Sequence, residues 1–224
     1  MTSGVRIILL GKQGAGKGTQ AVRIAEHYGV VHLSTGDLFR AAARAGTPAG
    51  LEAIAYMDRG DLVPDEIVIR VVREQLHDGG LLDDGFVLDG FPRTLPQAEA
   101  LEAELGGAAR PLDVAIDLEV PTEVVLDRIA GRRVCEDCGH VYHVTMPPKV
   151  PGACDVCGGT VSQRDDDTEV AVMRRLDLYE TATKPILEYY ARLGRLEPID
   201  GLGSGDEVFA RVRAAVDARL ESVG

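Results

Sequence analysis

The sequence has no apolar run long enough to cross a bilayer. Residues 1–20 lack the basic start and small-residue cleavage pattern of a secretory leader. A soluble, cytoplasmic protein is the expectation. Positive charge is scarce. The formal net charge is −12, and lysine occurs only at Lys12, Lys17, Lys149 and Lys184. Such a balance argues against nucleic acid or a membrane surface as partner. Any cationic site must therefore be assembled locally, mostly from arginine. Cysteine is absent outside residues 133–163, a stretch that holds all four. There is no low-complexity tract, and no repeat beyond the two cysteine pairs. The chain's 224 residues suit one main domain with insertions.

What is present begins with Gly11-Lys12-Gln13-Gly14-Ala15-Gly16-Lys17-Gly18-Thr19. An apolar run, residues 5–10, precedes it and reads as a buried parallel strand; residues 20–28 read as a helix. Strand, glycine loop and helix form the context of a phosphate-binding loop, and the spacing Gly11-x4-Gly16-Lys17 matches. Glycines leave backbone N–H groups free to turn around phosphate oxygens, and the helix N-terminus adds a positive dipole end. Lys17 supplies a full charge. Gly18 stands where such loops usually carry Ser or Thr, with Thr19 one place later, which weakens the case for a hydroxyl contact to Mg²⁺.

Further along, residues 30–33, 86–89, 114–118 and 195–199 are strand candidates. Helical spacing covers residues 47–59, 66–77, 94–105, 122–129 and 207–220, and Ser34 or Thr35 caps a helix of its own. Lys184-Pro185 divides the helical region after Thr168. Alternating strand and helix predicts an α/β fold with a central five-stranded parallel sheet flanked by helices. Residues 133–163, rich in Cys, Gly and Pro, interrupt it as an inserted module.

The module's spacing, Cys135-x2-Cys138-x15-Cys154-x2-Cys157, is that of a four-cysteine zinc site. Four thiolates close a tetrahedral site, so the metal is structural. Two disulfides or metal-free thiols are the competing readings, and a cytosolic location disfavours the first. His140 and His143 read as surface residues.

Taken together, Gly14 to Gln20, Ser34-Thr35-Gly36-Asp37-Leu38-Phe39-Arg40, Asp89-Gly90-Phe91-Pro92-Arg93 with Pro96-Gln97, Asp127-Arg128-Ile129 with Gly131-Arg132-Arg133, and Arg164-x-Asp166-Asp167 with Arg175 closely resemble the adenylate kinases of the type with a long, zinc-bearing lid. The resemblance spans essentially the whole chain. It implies Mg²⁺-dependent transfer of a phosphoryl group from ATP to AMP, giving two ADP, with lid closure excluding water. It implies a monomer whose core comprises residues 1–33, 64–130 and 169–224, an AMP-side helical flap at 34–63, and a lid at 131–168.

By position, the resemblance puts Gly14, Ala15, Gly16, Lys17, Gly18 and Thr19 on ATP phosphates, with Arg128 and Arg132. Val141, Tyr142 and Gly203 lie near the ATP base. Thr35, Arg40, Asp61, Leu62, Val63, Gly90, Phe91, Pro92, Arg93 and Gln97 hold AMP. Arg164 and Arg175 bracket the phosphates of both. Lys17, Arg93, Arg128, Arg132, Arg164 and Arg175 form the catalytic set. Asp89 orients a Mg²⁺-bound water, or serves only as a capping or ion-pairing carboxylate. Read singly, any one arginine is as well explained as a solvated surface charge. A UMP/CMP or GMP kinase is the neighbouring reading, and a nucleotide-gated zinc-ribbon module without turnover the more distant one. One departure stands out: the family usually has proline where Gln13 stands. Proline lacks an N–H and fixes φ, so Gln13 restores a donor and loosens the start of the loop, with a modest change in nucleotide affinity expected.

Overall fold

β1 (Arg6–Leu10) is buried along its whole length. Its pleat sends Ile7 and Leu9 into one core and Ile8 and Leu10 into another on the opposite face. That is why the run reads as continuously apolar: a parallel strand covered on both faces needs no polar alternation. The structure, a computed structural model, describes residues 4–78 and 80–223.

From β1 the chain runs through α1 (Lys17–Tyr28), β2 (Val31–Ser34), α2 (Thr35–Arg44), α3 (Pro48–Asp58), α4 (Asp65–Asp78), α5 (Leu81–Asp84), β3 (Phe86–Asp89), α6 (Leu95–Gly107), β4 (Val114–Glu119) and α7 (Thr122–Ala130). Next come three short strands, β5 (Arg132–Cys135), β6 (Val141–His143) and β7 (Val161–Ser162). α8 (Glu169–Leu178), a π-helical turn (Tyr179–Thr183), α9 (Lys184–Arg192), β8 (Leu196–Asp200) and α10 (Gly205–Val223) complete it. Among the described residues no helix is long and apolar enough to cross a membrane.

The main sheet has five parallel strands in the order β2-β3-β1-β4-β8. Ile24 of α1, Val125 and Ile129 of α7, and Val208, Val212 and Val216 of α10 pack on one face. Val72 and Leu76 of α4, Leu101 and Leu105 of α6, and Ile186 and Tyr190 of α9 pack on the other. The chain builds outward from β1 in one direction through β3 to β2 and in the other through β4 to β8. Such a switch in direction leaves a crevice beyond the carboxyl ends of the central strands.

Two additions extend this frame. The first is the α2–α3 hairpin. Ser34 caps α2 by accepting from the Asp37 N–H (3.3 Å), and Thr47 caps α3 by accepting from the Gly50 N–H (3.2 Å). The second is a three-stranded antiparallel sheet, β6-β5-β7, around the cysteines; it and the single turn α5 go beyond the sequence reading. Pro185 lies in the first turn of α9, after the π-helical turn. That wider turn absorbs the missing donor of proline without ending the helical path.

At Gly50 an added Cβ would stand 2.3 Å from the Ala42 carbonyl carbon and from the Ala43 nitrogen. Only glycine lets α3 cross α2 at this separation. Gly50→Ala should destabilise the protein by about 1–3 kcal/mol through forced separation of the two helices. An unchanged urea midpoint would show that the hairpin does not pack this closely.

Candidate functional site

The crevice is lined first by the loop after β1. Gly16 takes a left-handed conformation (φ 103°) as N-cap of α1 and offers no side-chain acceptor, so the first amides of α1 are left for an outside anion. Lys17 folds back over the loop, its Nζ donating to the carbonyls of Gly11 (2.7 Å) and Lys12 (2.9 Å). Burial, and after it the neighbouring Arg93 and Arg132, bring its ammonium down to about 8, against the pull of Asp89 and Asp117.

Asp89 ends β3 next to the loop: a Cβ on Gly18 would lie 3.3 Å from its Oδ2, and His32 Nε2 is 4.0 Å from that same oxygen. The following turn is tightly knit. Arg93 Nε donates to the Gly90 carbonyl (2.9 Å), and Thr35 Oγ1 donates to the same carbonyl (3.1 Å). The Arg93 N–H donates to Gln97 Oε1 (2.8 Å), while Gln97 Nε2 donates to Asp65 Oδ1 (2.7 Å). Gln97 is thus buried, with part of its amide already engaged. Thr183, carried by the π-helical turn, donates to the Arg93 carbonyl (3.0 Å). Burial, then the field of Arg175, holds the Arg93 guanidinium below its ordinary range. Phe91 is buried under this turn, as is Val63 near the end of the hairpin.

Other cations converge from elements distant in sequence. Arg40 of α2 donates to Asp37 Oδ1, and Arg164 approaches the same oxygen at 4.0 Å. Burial, followed by Arg40 and Arg132, brings Arg164 down to about 10. Arg132 at the start of β5 grips Asp167 with two nitrogens, one at 2.9 Å, and the Asp167 side chain is fully buried. Arg175 of α8 donates to Asp166 Oδ2 (2.6 Å) and to the Met57 carbonyl of α3 (2.6 Å), joining the hairpin to the root of the cysteine module. Arg128 stands apart from this group; it braces the loop, donating to the carbonyls of Ala15 (3.2 Å) and Gly201 (3.1 Å). Gly203, at φ 105°, lies two residues beyond in the same connection. Asp61 is held by Arg59 (3.2 Å) and Arg174 (3.1 Å). Val141 is exposed.

Asp37, Asp65, Asp166, Asp167 and Thr183 organise these cations yet carry no role in the sequence reading. In the sequence Asp166 and Asp167 stand next to the start of a helix, where acids commonly favour the N-terminus. Instead, Thr168 caps α8 (3.2 Å to the Ala171 N–H), and the acids turn inward to arginine.

The four cysteines are all free thiols, and their sulfurs lie within 4.8 Å of one another. Cys135–Cys157 and Cys138–Cys154 approach to 3.5 and 3.6 Å. Sulfur pairs around tetrahedral zinc, with bonds of about 2.3 Å, are about 3.8 Å apart, so the cluster fits a metal ion, and none of the four is in a disulfide. Tyr142, buried, donates its hydroxyl to Cys154 Sγ (3.4 Å) and accepts from the Asp155 N–H (2.7 Å). That hydroxyl, with the Cys157 and Val156 amides, draws the Cys154 thiol down to about 6, favouring the thiolate a metal needs.

Comparison with known proteins agrees with this geometry. The family model described as adenylate kinase matches residues 9–195. The adenylate kinase of Carboxydothermus hydrogenoformans is 51% identical over 213 residues, covering 95% of this chain and 99% of that protein. That of Thermodesulfovibrio yellowstonii is 49% identical, covering 96% of this chain and 100% of its own. That of Syntrophobacter fumaroxidans is 50% identical, covering 94% and 99%.

Asp117, buried within β4, has an Oδ1 with no partner. Burial, then the like charge of Glu119, raises its carboxyl to about 6, despite Lys17 and Lys12. A carboxyl raised above its unfolded value favours folding fully at low pH, and the contribution is lost as pH climbs through about 6. Asp117→Asn should therefore leave stability unchanged near pH 3.5 and raise it by up to about 3 kcal/mol at pH 8. Urea unfolding at both values checks this; an equal effect at each would remove the electrostatic cause.

Proposed function

The chain belongs to the adenylate kinase family, and from that premise we propose that it moves the terminal phosphoryl group of ATP to AMP in a Mg²⁺-dependent, reversible reaction that yields two ADP. The observation that carries this reading is the gathering of Lys17, Arg40, Arg93, Arg132, Arg164 and Arg175 around one crevice in a chain of net charge −12. A cradle of that kind suits two polyphosphates meeting end to end.

The ATP phosphates lie along Gly14, Ala15, Gly16, Lys17, Gly18 and Thr19, on the free amides of α1, with Arg128 and Arg132 beside them. The ATP base sits near Gly203, Val141 and Tyr142; for Tyr142 this role rests on family resemblance, since its hydroxyl lies among the cysteines. AMP occupies the hairpin side. Thr35 and Gln97 stand by its base, Arg40 and Arg93 on its phosphate, and the backbone of Asp61, Leu62, Val63, Gly90, Phe91 and Pro92 around it. Arg164 and Arg175 face both phosphate groups. The division into a core (1–33, 64–130, 169–224), an AMP flap (34–63) and a lid (131–168) follows the two additions to the main sheet. The protein acts as a cytoplasmic monomer.

No general base is required, because a phosphate monoester, with a second pKa of about 6, is already largely dianionic at neutral pH. The obstacle is repulsion between phosphates. Guanidinium forks offset it and stabilise the charge spread over the transferring group. A Mg²⁺ ion carried with the nucleotide would supply further charge neutralisation, and Asp89, a hard oxygen donor at the crevice, would orient its hydration. Zinc bound by Cys135, Cys138, Cys154 and Cys157 supplies rigidity to the lid and takes no part in the chemistry. Closure of the lid over both nucleotides excludes water as a competing acceptor.

ADP formation from ATP with AMP, set against UMP, CMP and GMP, tests the reading; AMP should be preferred by at least about tenfold. Absence of ADP would overturn it, and a better rate with another monophosphate would move it to the neighbouring kinases. Because Lys17 titrates near 8 in the free protein, kcat/KM for ATP should fall above pH 8 as its charge is lost. A profile flat to pH 9.5 would remove Lys17 from the ATP site. Chelation of zinc should lower the melting temperature well before it changes the chemical step; an unchanged melt would end the structural role.

A further inference from the structure

Asp167 is a buried carboxylate at the root of the cysteine module, and its side chain is closed to solvent. Among the described residues it has two side-chain donors. One is Arg132, through both Nε and a terminal nitrogen. The other is Gln13, whose Nε2 donates to Asp167 Oδ1 at 3.3 Å from the phosphate loop, 154 residues earlier in the chain. The charge on Asp167 fixes which end of the amide faces it, since the reverse orientation would set oxygen against oxygen. The Gln13 Oε1 on the far side is shut away without a partner, so the amide sits here for its donor.

We propose that Gln13 is a positioning residue for the ATP half of the site: its amide keeps the Asp167 carboxylate paired when the Arg132 guanidinium turns from that carboxylate to a nucleotide phosphate. The inference rests on the assignment of Arg132 to ATP phosphates made above. The physical problem is one of sharing. A guanidinium that leaves a buried carboxylate to meet a ligand strands an acceptor, and a stranded buried charge is costly. A second donor fixed in the phosphate loop lowers that cost at the moment of binding. It also ties the loop to the lid's root, so that occupation of one is felt by the other.

Titration calorimetry on the zinc-loaded full chain, with ATP alone and with AMP alone, tests this. Gln13→Ala should weaken ATP by about fivefold and leave AMP within about twofold. Gln13→Glu, which keeps size and packing but turns a carboxylate toward Asp167, should weaken ATP by more than about tenfold. If both variants bind ATP as the unaltered protein does, the inference is overturned while the family reading stands. A parallel loss of ATP affinity, AMP affinity and melting temperature would equally overturn it, leaving Gln13 as an ordinary packing contact. Failure of the unaltered protein to bind either nucleotide would instead overturn the reading of the site on which the inference rests.

Discussion

Repulsion among like charges is the constraint from which the rest of this molecule follows. Burial makes charge costly on Lys17, Arg93 and Arg164, and neighbouring cations add to it: Arg93 and Arg132 at Lys17, Arg175 and Arg40 at Arg93, Arg40 and Arg132 at Arg164. Without a polyanion such a cluster is expensive to maintain. The protein meets the cost with a matching set of acceptors: Asp37, Asp166 and Asp167, and the carbonyls of Gly11, Lys12, Gly90 and Met57. Each of these cations thus has an acceptor beside it. The site is thereby loaded with charge and still folded before its ligand arrives.

Holding cations from α1, α2, β5 and α8 near one point requires a frame that does not yield. Two hydrophobic cores, one on each face of the five-stranded sheet, supply it. Close packing on both faces leaves β1 and β3 little freedom, so the loops leaving their carboxyl ends start from fixed points. The hairpin that carries Arg40 is tied into the second of these cores by Phe39 and Ala53. Arg132 starts a small sheet centred on cysteines rather than on apolar bulk, and Arg164 follows that sheet's last strand.

Much of this was legible in the sequence. The glycine loop, the apolar β1, the five parallel strands and the cysteine spacing are local patterns, each confined to a short stretch of chain. So was the helix start at Thr47-Pro48, whereas Pro185 marks a wider turn and not an interruption of the helical path. What escaped is what no local pattern encodes. Asp167 meets Gln13 across 154 residues, and hydrophobic periodicity says nothing about which acid pairs with which arginine. Asp117 lies within an apolar strand, and only the fold brings it next to Lys17. β7 is two residues long, below anything that alternation can reveal. Tyr142 could be read only by resemblance until the strand carrying it placed its hydroxyl against Cys154.

The π-helical turn between α8 and α9 puts one residue more into that stretch than regular helical geometry holds. In an α-helix each residue advances the side-chain direction by about 100°. Spread over the wider turn, the extra residue adds no such rotation, so Ile186 and Tyr190 keep their place against the sheet. Excising it would restore a regular rod on nearly the same heading and remove the widening that carries the Thr183 hydroxyl to the Arg93 carbonyl. The irregularity thus serves the turn beside the crevice, not the packing of α9.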